Sequence, residues 1–191
     1  HQAAQNIHQA LQDLVPQLGF NGRNLALTAL PASLTSIGSN AFEGCDKLAL
    51  TELPAGLTSI NLSVFKYCAG LALTELPPGV TSIGTSAFEG CTSLALTELP
   101  DNLTLIGITS FKNCTSLALT ELPSGLTDIS FNAFNGCTGL TRLRLGNALK
   151  SIATNAFTDC TNLTQITCDF AQGAVSGAPW GATNANITYL R

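Results

Sequence analysis

Hydrophobic and polar positions along this chain recur every 23 residues, a spacing far longer than the period of one helix or one strand. Residues 71–93 read LALTELPPGVTSIGTSAFEGCTS, and 25–47, 48–70, 94–116, 117–139 and 140–162 repeat the pattern with no insertion or deletion. A seventh copy begins at Leu163 and passes into a different tail. A constant, Leu-rich period of this length predicts a solenoid in which each unit buries its apolar side only against its neighbours.

Each repeat divides into three parts. LALTELP is short, rich in Leu and Thr, and stops at Pro31, Pro54, Pro77, Pro100 or Pro123. Proline has no N–H for a ladder, so this part is predicted as a terminated strand. LTSIG, with apolar residues such as Leu57 and Ile60 three apart, is predicted as a second short extended segment. The third part carries Phe at 42, 65, 88, 111, 134 and 157 and Cys at 45, 68, 91, 114, 137 and 160. The three-residue offset predicts a single helical or 3₁₀ turn with both side chains inward. The Phe column is expected to be structural.

The ends differ. Ile7, Leu11, Leu14, Val15 and Leu18 form one helical face, kinked or shortened at Pro16, so residues 1–24 are expected to be a helical cap. A remnant of a larger upstream domain is the alternative. Residues 25–168 are the repeats and 169–191 a C-terminal cap, all in one domain. The tail carries Trp180, which either covers the last Phe–Cys layer or forms an aromatic binding spot.

The pattern L-x-x-I-G-x-x-A-F-x-x-C-x-x-L, seen over 34–48, 80–94 and 149–163, resembles the BspA-like subclass of bacterial leucine-rich repeats. The resemblance covers residue 25 to about 168. It implies an α/β right-handed leucine-rich-repeat solenoid with a parallel β-sheet on one face and few short helical turns. It also implies a secreted or surface-exposed microbial protein engaged in adhesion or contact with host proteins. The family carries no catalytic motif, so no catalytic residue is transferred. The family spaces its strand as C-x-x-L-x-x-I-x-I-P, and Leu140, Leu143, Leu145 and Leu163, Ile166, Cys168 keep that spacing. The first five repeats instead place Thr28, Thr51, Thr74, Thr97 and Thr120 at the middle position and Leu one residue earlier. Either the strand register shifts there or those Leu point outward.

Composition narrows the chemistry. The 191 residues are 45% hydrophobic and 10% charged, with net charge −4, so solubility rests on Ser, Thr and Asn. No basic stripe points to nucleic acid, and no apolar run approaches a membrane span. The chain begins with His1 rather than Met, as expected of a processed or trimmed product. The six periodic Cys are read as buried, reduced thiols, because coils stacked ~4.8 Å apart would pair them only at strained geometry. The only histidines, His1 and His8, lie in the N-terminal segment, so neither a metal site nor a Cys-His or Ser-His-Asp catalyst is expected, and no cofactor. Five Asn-x-Ser/Thr sequons, at Asn61, Asn102, Asn113, Asn162 and Asn186, are expected by chance in such a composition.

The remaining candidate is a face. Glu52, Glu75, Glu98 and Glu121 recur at one place in successive coils, and strand alternation would set them beside Leu50, Leu73, Leu96 and Leu119. In repeat six the equivalent places hold Arg142 and Arg144, and repeat one has Ala29 in the Glu column. The face therefore reads neutral, acidic, then basic, with an apolar stripe alongside. It is either a solvated face inherited by duplication or a docking surface for a protein with a basic patch. The function expected is a protein-interaction module, acting as a monomer. Alternatives are an effector inside a host cell, the recognition domain of a larger enzyme, and a structural spacer.

Overall fold

The computed structural model describes residues 25–191, so the predicted N-terminal helical cap lies outside the described residues. Those residues wind into coils stacked one on the next. Two parallel sheets run across the stack. The first is built from two-residue strands, β1 (Ser59–Ile60), β2 (Ser82–Ile83), β3 (Leu105–Ile106), β4 (Asp128–Ile129) and β6 (Ser151–Ile152), each paired with the same place in the next coil. The second joins the four-residue strands β5 (Arg142–Leu145), β7 (Gln165–Cys168) and β8 (Asn186–Tyr189).

The first sheet does not fall on LALTELP, where the main strand was predicted, but on the second segment. In LALTELP of the second to fifth coils, two consecutive residues, Thr and Glu, face solvent, and the chain bends at Thr51, Thr74, Thr97 and Thr120. Two outward residues in a row break the period of two that a ladder requires. The bend turns the chain so that Leu50 and Leu53, or Leu73 and Leu76, all point inward. Leu50, Leu73, Leu96 and Leu119 are therefore core residues, at most 2% exposed, and not an apolar stripe beside the glutamates. This decides the open question of register: Thr points out and Leu points in. In β5 and β7 the alternation is unbroken, and there the four-residue strands form.

The Phe–Cys segment is a chain of tight turns rather than a helix, and no helix occurs among the described residues. Alternate amides go to different partners. Ala87, Glu89 and Cys91 donate back to Gly84, Ser86 and Phe88 within the coil. Ser86, Phe88 and Gly90 donate to Ile108, Ser110 and Lys112 of the next coil. A residue at positive φ recurs four positions apart, as at Ser86 (55°) and Gly90 (75°), which stops the turn from propagating. The Gly90 place is held elsewhere by Asn113 and Asp159, residue types that tolerate this region, and by Tyr67, which does not favour it.

These turns aim the six Phe rings into the centre. Successive rings stack at 5.8, 5.5, 5.5, 5.4 and 5.4 Å between centroids, and all are fully buried. Beside them runs the ladder of six cysteines, which like Cys168 on β7 are free and buried. Cys68, Cys91, Cys114, Cys137 and Cys160 each donate S–H, at 3.0 Å, to the carbonyl of Phe42, Phe65, Phe88, Phe111 and Phe134 in the preceding coil. Each of those carbonyls also accepts the amide of its own coil's cysteine. Both lone pairs of a buried carbonyl are thus satisfied, which explains a thiol where alanine would fill similar space.

The tail adds further turns to the stack. Phe157 donates its amide to Trp180, whose indole is fully buried, donates from Nε1 to the Ser176 carbonyl at 2.8 Å, and meets Phe170 edge-on at 6.3 Å. The buried ring offers no exposed aromatic surface.

Among the described residues one buried side-chain polar group lacks a partner. The Ser110 hydroxyl sits in a column otherwise filled by Ala41, Val64, Ala87, Ala133 and Ala156, and nothing reaches its Oγ. An unsatisfied buried hydroxyl costs about 1–3 kcal/mol. Ser110→Ala is expected to raise stability by about 1 kcal/mol in a urea titration, and a loss of stability would contradict the orphan hydroxyl.

Candidate functional site

The bend that buries both leucines pushes Thr and Glu out together. Glu52, Glu75, Glu98 and Glu121 are exposed, one per coil, in a column across the stack. Between them and the Pro turns lies an open groove of about 550 Å³ lined by Glu52, Glu75, Glu98 and Asp101 over Leu53, Leu76, Leu99 and Pro77. It continues into a hollow of about 290 Å³ bounded by Glu98, Asp101, Glu121, Arg144 and Asp169. Glu52, Glu75, Glu98, Asp101, Glu121 and Asp169 are six of the chain's 12 acidic residues, and Arg144 is the one basic residue among these linings.

Arg144 does not make the far end basic. It stands one coil above Glu121, bridged to it through backbone bonds from Arg144 N to Thr120 O and from Leu122 N to Arg144 O. Its guanidinium grips Asp169, with Nη2 2.8 Å from Oδ1 and Nε 3.0 and 3.1 Å from the two carboxylate oxygens. The hydrogen bond to Asp169, and then its charge, hold the guanidinium above its ordinary value. The pair cancels, and the predicted change from acidic to basic becomes an acidic groove ending in an ion pair. Arg142 is exposed on β5 but lies outside these linings. It occupies the column of Leu119 yet points outward, because the in–out order inverts between those coils.

The structure thus brings together Glu52, Glu75, Glu98, Glu121 and Arg144 and removes Leu50, Leu73, Leu96 and Leu119 from the surface. Asp101 and Asp169 were missed by the reading of repeats. Asp169 lies 25 residues after Arg144, so a comparison at 23 does not align them. A second surface was also missed. Leu62, Ile108 and Phe131, 46–54% exposed, share one column with Thr85, and Leu105 lies nearby at 41%. The signal was present, since the same column holds Ser39, Thr85 and Thr154, and three large apolar residues among them are out of place.

Among the described residues no cluster of three or more His, Cys, Asp or Glu could hold a metal ion, and no helix is long and apolar enough to cross a membrane.

A family model described as a BspA type leucine rich repeat region, in six copies, matches residues 15–117 and 96–173. Among curated proteins no relative matches. Solved structures do. A leucine-rich repeat protein from Bacteroides ovatus is 29% identical with a TM-score of 0.66, over 83% of this chain and 44% of that one. A leucine rich repeat protein of T. pallidum is 35% identical with a TM-score of 0.60, over 69% of this chain and 62% of that one. A leucine rich cell surface protein from Faecalibacterium prausnitzii is 27% identical with a TM-score of 0.57, over 85% of this chain and 53% of that one. The chain spans about half the length of these structures.

Proposed function

This chain belongs to the BspA-type leucine-rich repeat family, whose solenoids generally serve as protein-interaction modules, and on that premise we propose that it binds a basic protein surface through the acidic groove. The observation that carries the proposal is the collection of five carboxylates along one groove whose single guanidinium is already neutralised by a sixth, Asp169. Carboxylates one coil apart repel one another, and a cationic partner relieves that repulsion and is steered toward the groove. The setting proposed is a microbial surface or secreted protein in contact with a host or neighbouring cell, supported by the cell surface protein of F. prausnitzii. A second reading, an effector inside a host cell, is favoured by the seven free thiols, which suit a reducing compartment. No catalytic role enters either reading.

The test is affinity capture with three baits. One is this chain; one carries Lys at Glu52, Glu75, Glu98 and Glu121; the third carries Lys at Glu43, Asp46 and Glu89, away from the groove. The groove reversal takes the net charge from −4 to +4 and the third bait takes it to +2, so the third bait controls for most of the change in charge. Partner affinity is expected to fall at least tenfold with the groove variant and to stay within threefold with the control. Equal capture by all three would move recognition to the Leu62–Ile108–Phe131 stripe or the ends.

A further inference from the structure

The groove crosses coils rather than running along one. Its four glutamates therefore repeat at the coil spacing, ~4.8 Å, and the column spans ~14 Å from Glu52 to Glu121. A ligand lying along this axis must present its charges at the same interval. An α-helix rises ~1.5 Å per residue, so side chains at i, i+3, i+7 and i+10 lie on one face at ~4.5, 10.5 and 15 Å from the first. An extended strand places same-face side chains ~6.7 Å apart and reaches ~20 Å at the fourth, out of step by more than a whole coil.

Backbone pairing does not offer a strand another way in. Strand addition needs an open edge. From the second to the fifth coil each coil is followed by another that covers it, as Ala95 N on Leu73 O and Ala118 N on Leu96 O show. A strand lying along the groove would cross the coils, whereas ladder pairing requires it to run alongside them. The groove's floor is apolar, of Leu53, Leu76 and Leu99 with Pro77 and Pro100, while its wall is carboxylate. That combination complements a helix with a basic stripe beside an apolar one.

We propose that the occupant of the groove is a basic amphipathic α-helix of a protein partner, laid along the solenoid axis with Lys or Arg at i, i+3, i+7 and i+10 opposite Glu52, Glu75, Glu98 and Glu121. This rests on the reading of the groove as the recognition surface and specifies the shape of what it recognises.

Two synthetic Ala/Leu-rich peptides of equal length and composition test it. One has four lysines at i, i+3, i+7 and i+10; the other has them at alternate residues. Binding to the full chain and to its E75Q/E98Q variant is read by fluorescence anisotropy at low salt, and peptide helicity by circular dichroism. The helix-spaced peptide is expected to bind at least tenfold tighter than its isomer, to gain helix on binding, and to lose at least tenfold in E75Q/E98Q. Equal affinity of the two peptides, or a preference for the alternating one, both lost in E75Q/E98Q, overturns the helix and leaves the acidic groove standing. Absence of binding by either peptide also overturns the helix, with the groove then judged by the capture experiment. Binding unchanged in E75Q/E98Q overturns both.

Discussion

Between pH 9 and pH 10 the protein is expected to lose about 5 kcal/mol of stability through the five thiols from Cys68 to Cys160 alone. Burial pushes the Cys160 thiol up to about 12 from an ordinary value of 9.0, and holds Cys68, Cys91, Cys114 and Cys137 well above it. Neighbouring thiols in the stack add to the effect for the middle four. The folded state therefore keeps these protons at a pH where the unfolded chain has released them. Stability from this source is fully present below about pH 9 and is lost as pH rises toward the folded values. Each thiol contributes about 1 kcal/mol over that one unit, from the ~1.4 kcal/mol that a tenfold change in proton activity is worth. Five thiols together then approach the ~5–15 kcal/mol that holds a typical domain folded. Cys45 at the start of the ladder and Cys168 on β7, both pushed up to about 11, act in the same direction.

Urea titrations in reducing buffer at pH 8, 9 and 10 check this, the midpoint falling steeply in the last step. The control is C91A/C114A/C137A, which removes three of the seven raised thiols and is expected to flatten the pH dependence by about two-fifths. A midpoint indifferent to pH above 9, or the same slope in the triple variant, would mean that the ladder is not the source.

Phe111→Ala is expected to cost about 3–5 kcal/mol, the range for deleting a buried aromatic ring. Phe111 stacks on Phe88 at 5.5 Å and on Phe134 at 5.4 Å, and its carbonyl receives both the Cys114 amide and the Cys137 thiol. Truncation removes contacts with both neighbours and leaves a hole that the coils above and below cannot close, because their own turns are pinned by inter-coil hydrogen bonds. The same change at Phe42, which among the described residues stacks on Phe65 only, at 5.8 Å, is expected to cost at least 1 kcal/mol less. The position in the array also matters. Stability in a solenoid passes from each coil to the next, so a defect in the middle weakens the coupling of two halves. Phe111→Ala is accordingly expected to lower the denaturant m-value as well as the midpoint, and Phe42→Ala to lower the midpoint with m preserved. Equal costs at the two positions, or a loss at Phe111 below ~1.5 kcal/mol, would refute a continuous ring stack as the spine of the fold.

These two effects share one origin with the groove. A rigid stack of near-identical coils holds any side chain that is repeated at a fixed interval. Inside, that regularity makes a ladder of rings and thiols. Outside, it makes a column of glutamates at a pitch that a helical partner can match. Charge placed this way meets its repulsion in the unbound protein, and the fold bears it because the carboxylates are exposed and screened by water and salt.

The repeat period by itself determined the solenoid, the boundaries of the coils, the inward Phe and Cys columns, the reduced state of the thiols and the glutamate column. All of these follow from the identity of residues 23 apart, which must occupy equivalent environments when units stack. Three things were decided only in three dimensions. The leucines at 50, 73, 96 and 119 went inside because the chain bends at the neighbouring Thr, and period-two alternation carries no term for a bend. The first sheet formed on the second segment because the bend at Thr takes the in–out alternation of a ladder away from LALTELP. Arg144 met Asp169, and each interior thiol met a phenylalanine carbonyl, at offsets of 25 and 26 residues, one period plus two or three. A sequence compared with itself at 23 aligns what is equivalent, whereas the contacts that set charge and hydrogen bonding join residues that are adjacent without being equivalent.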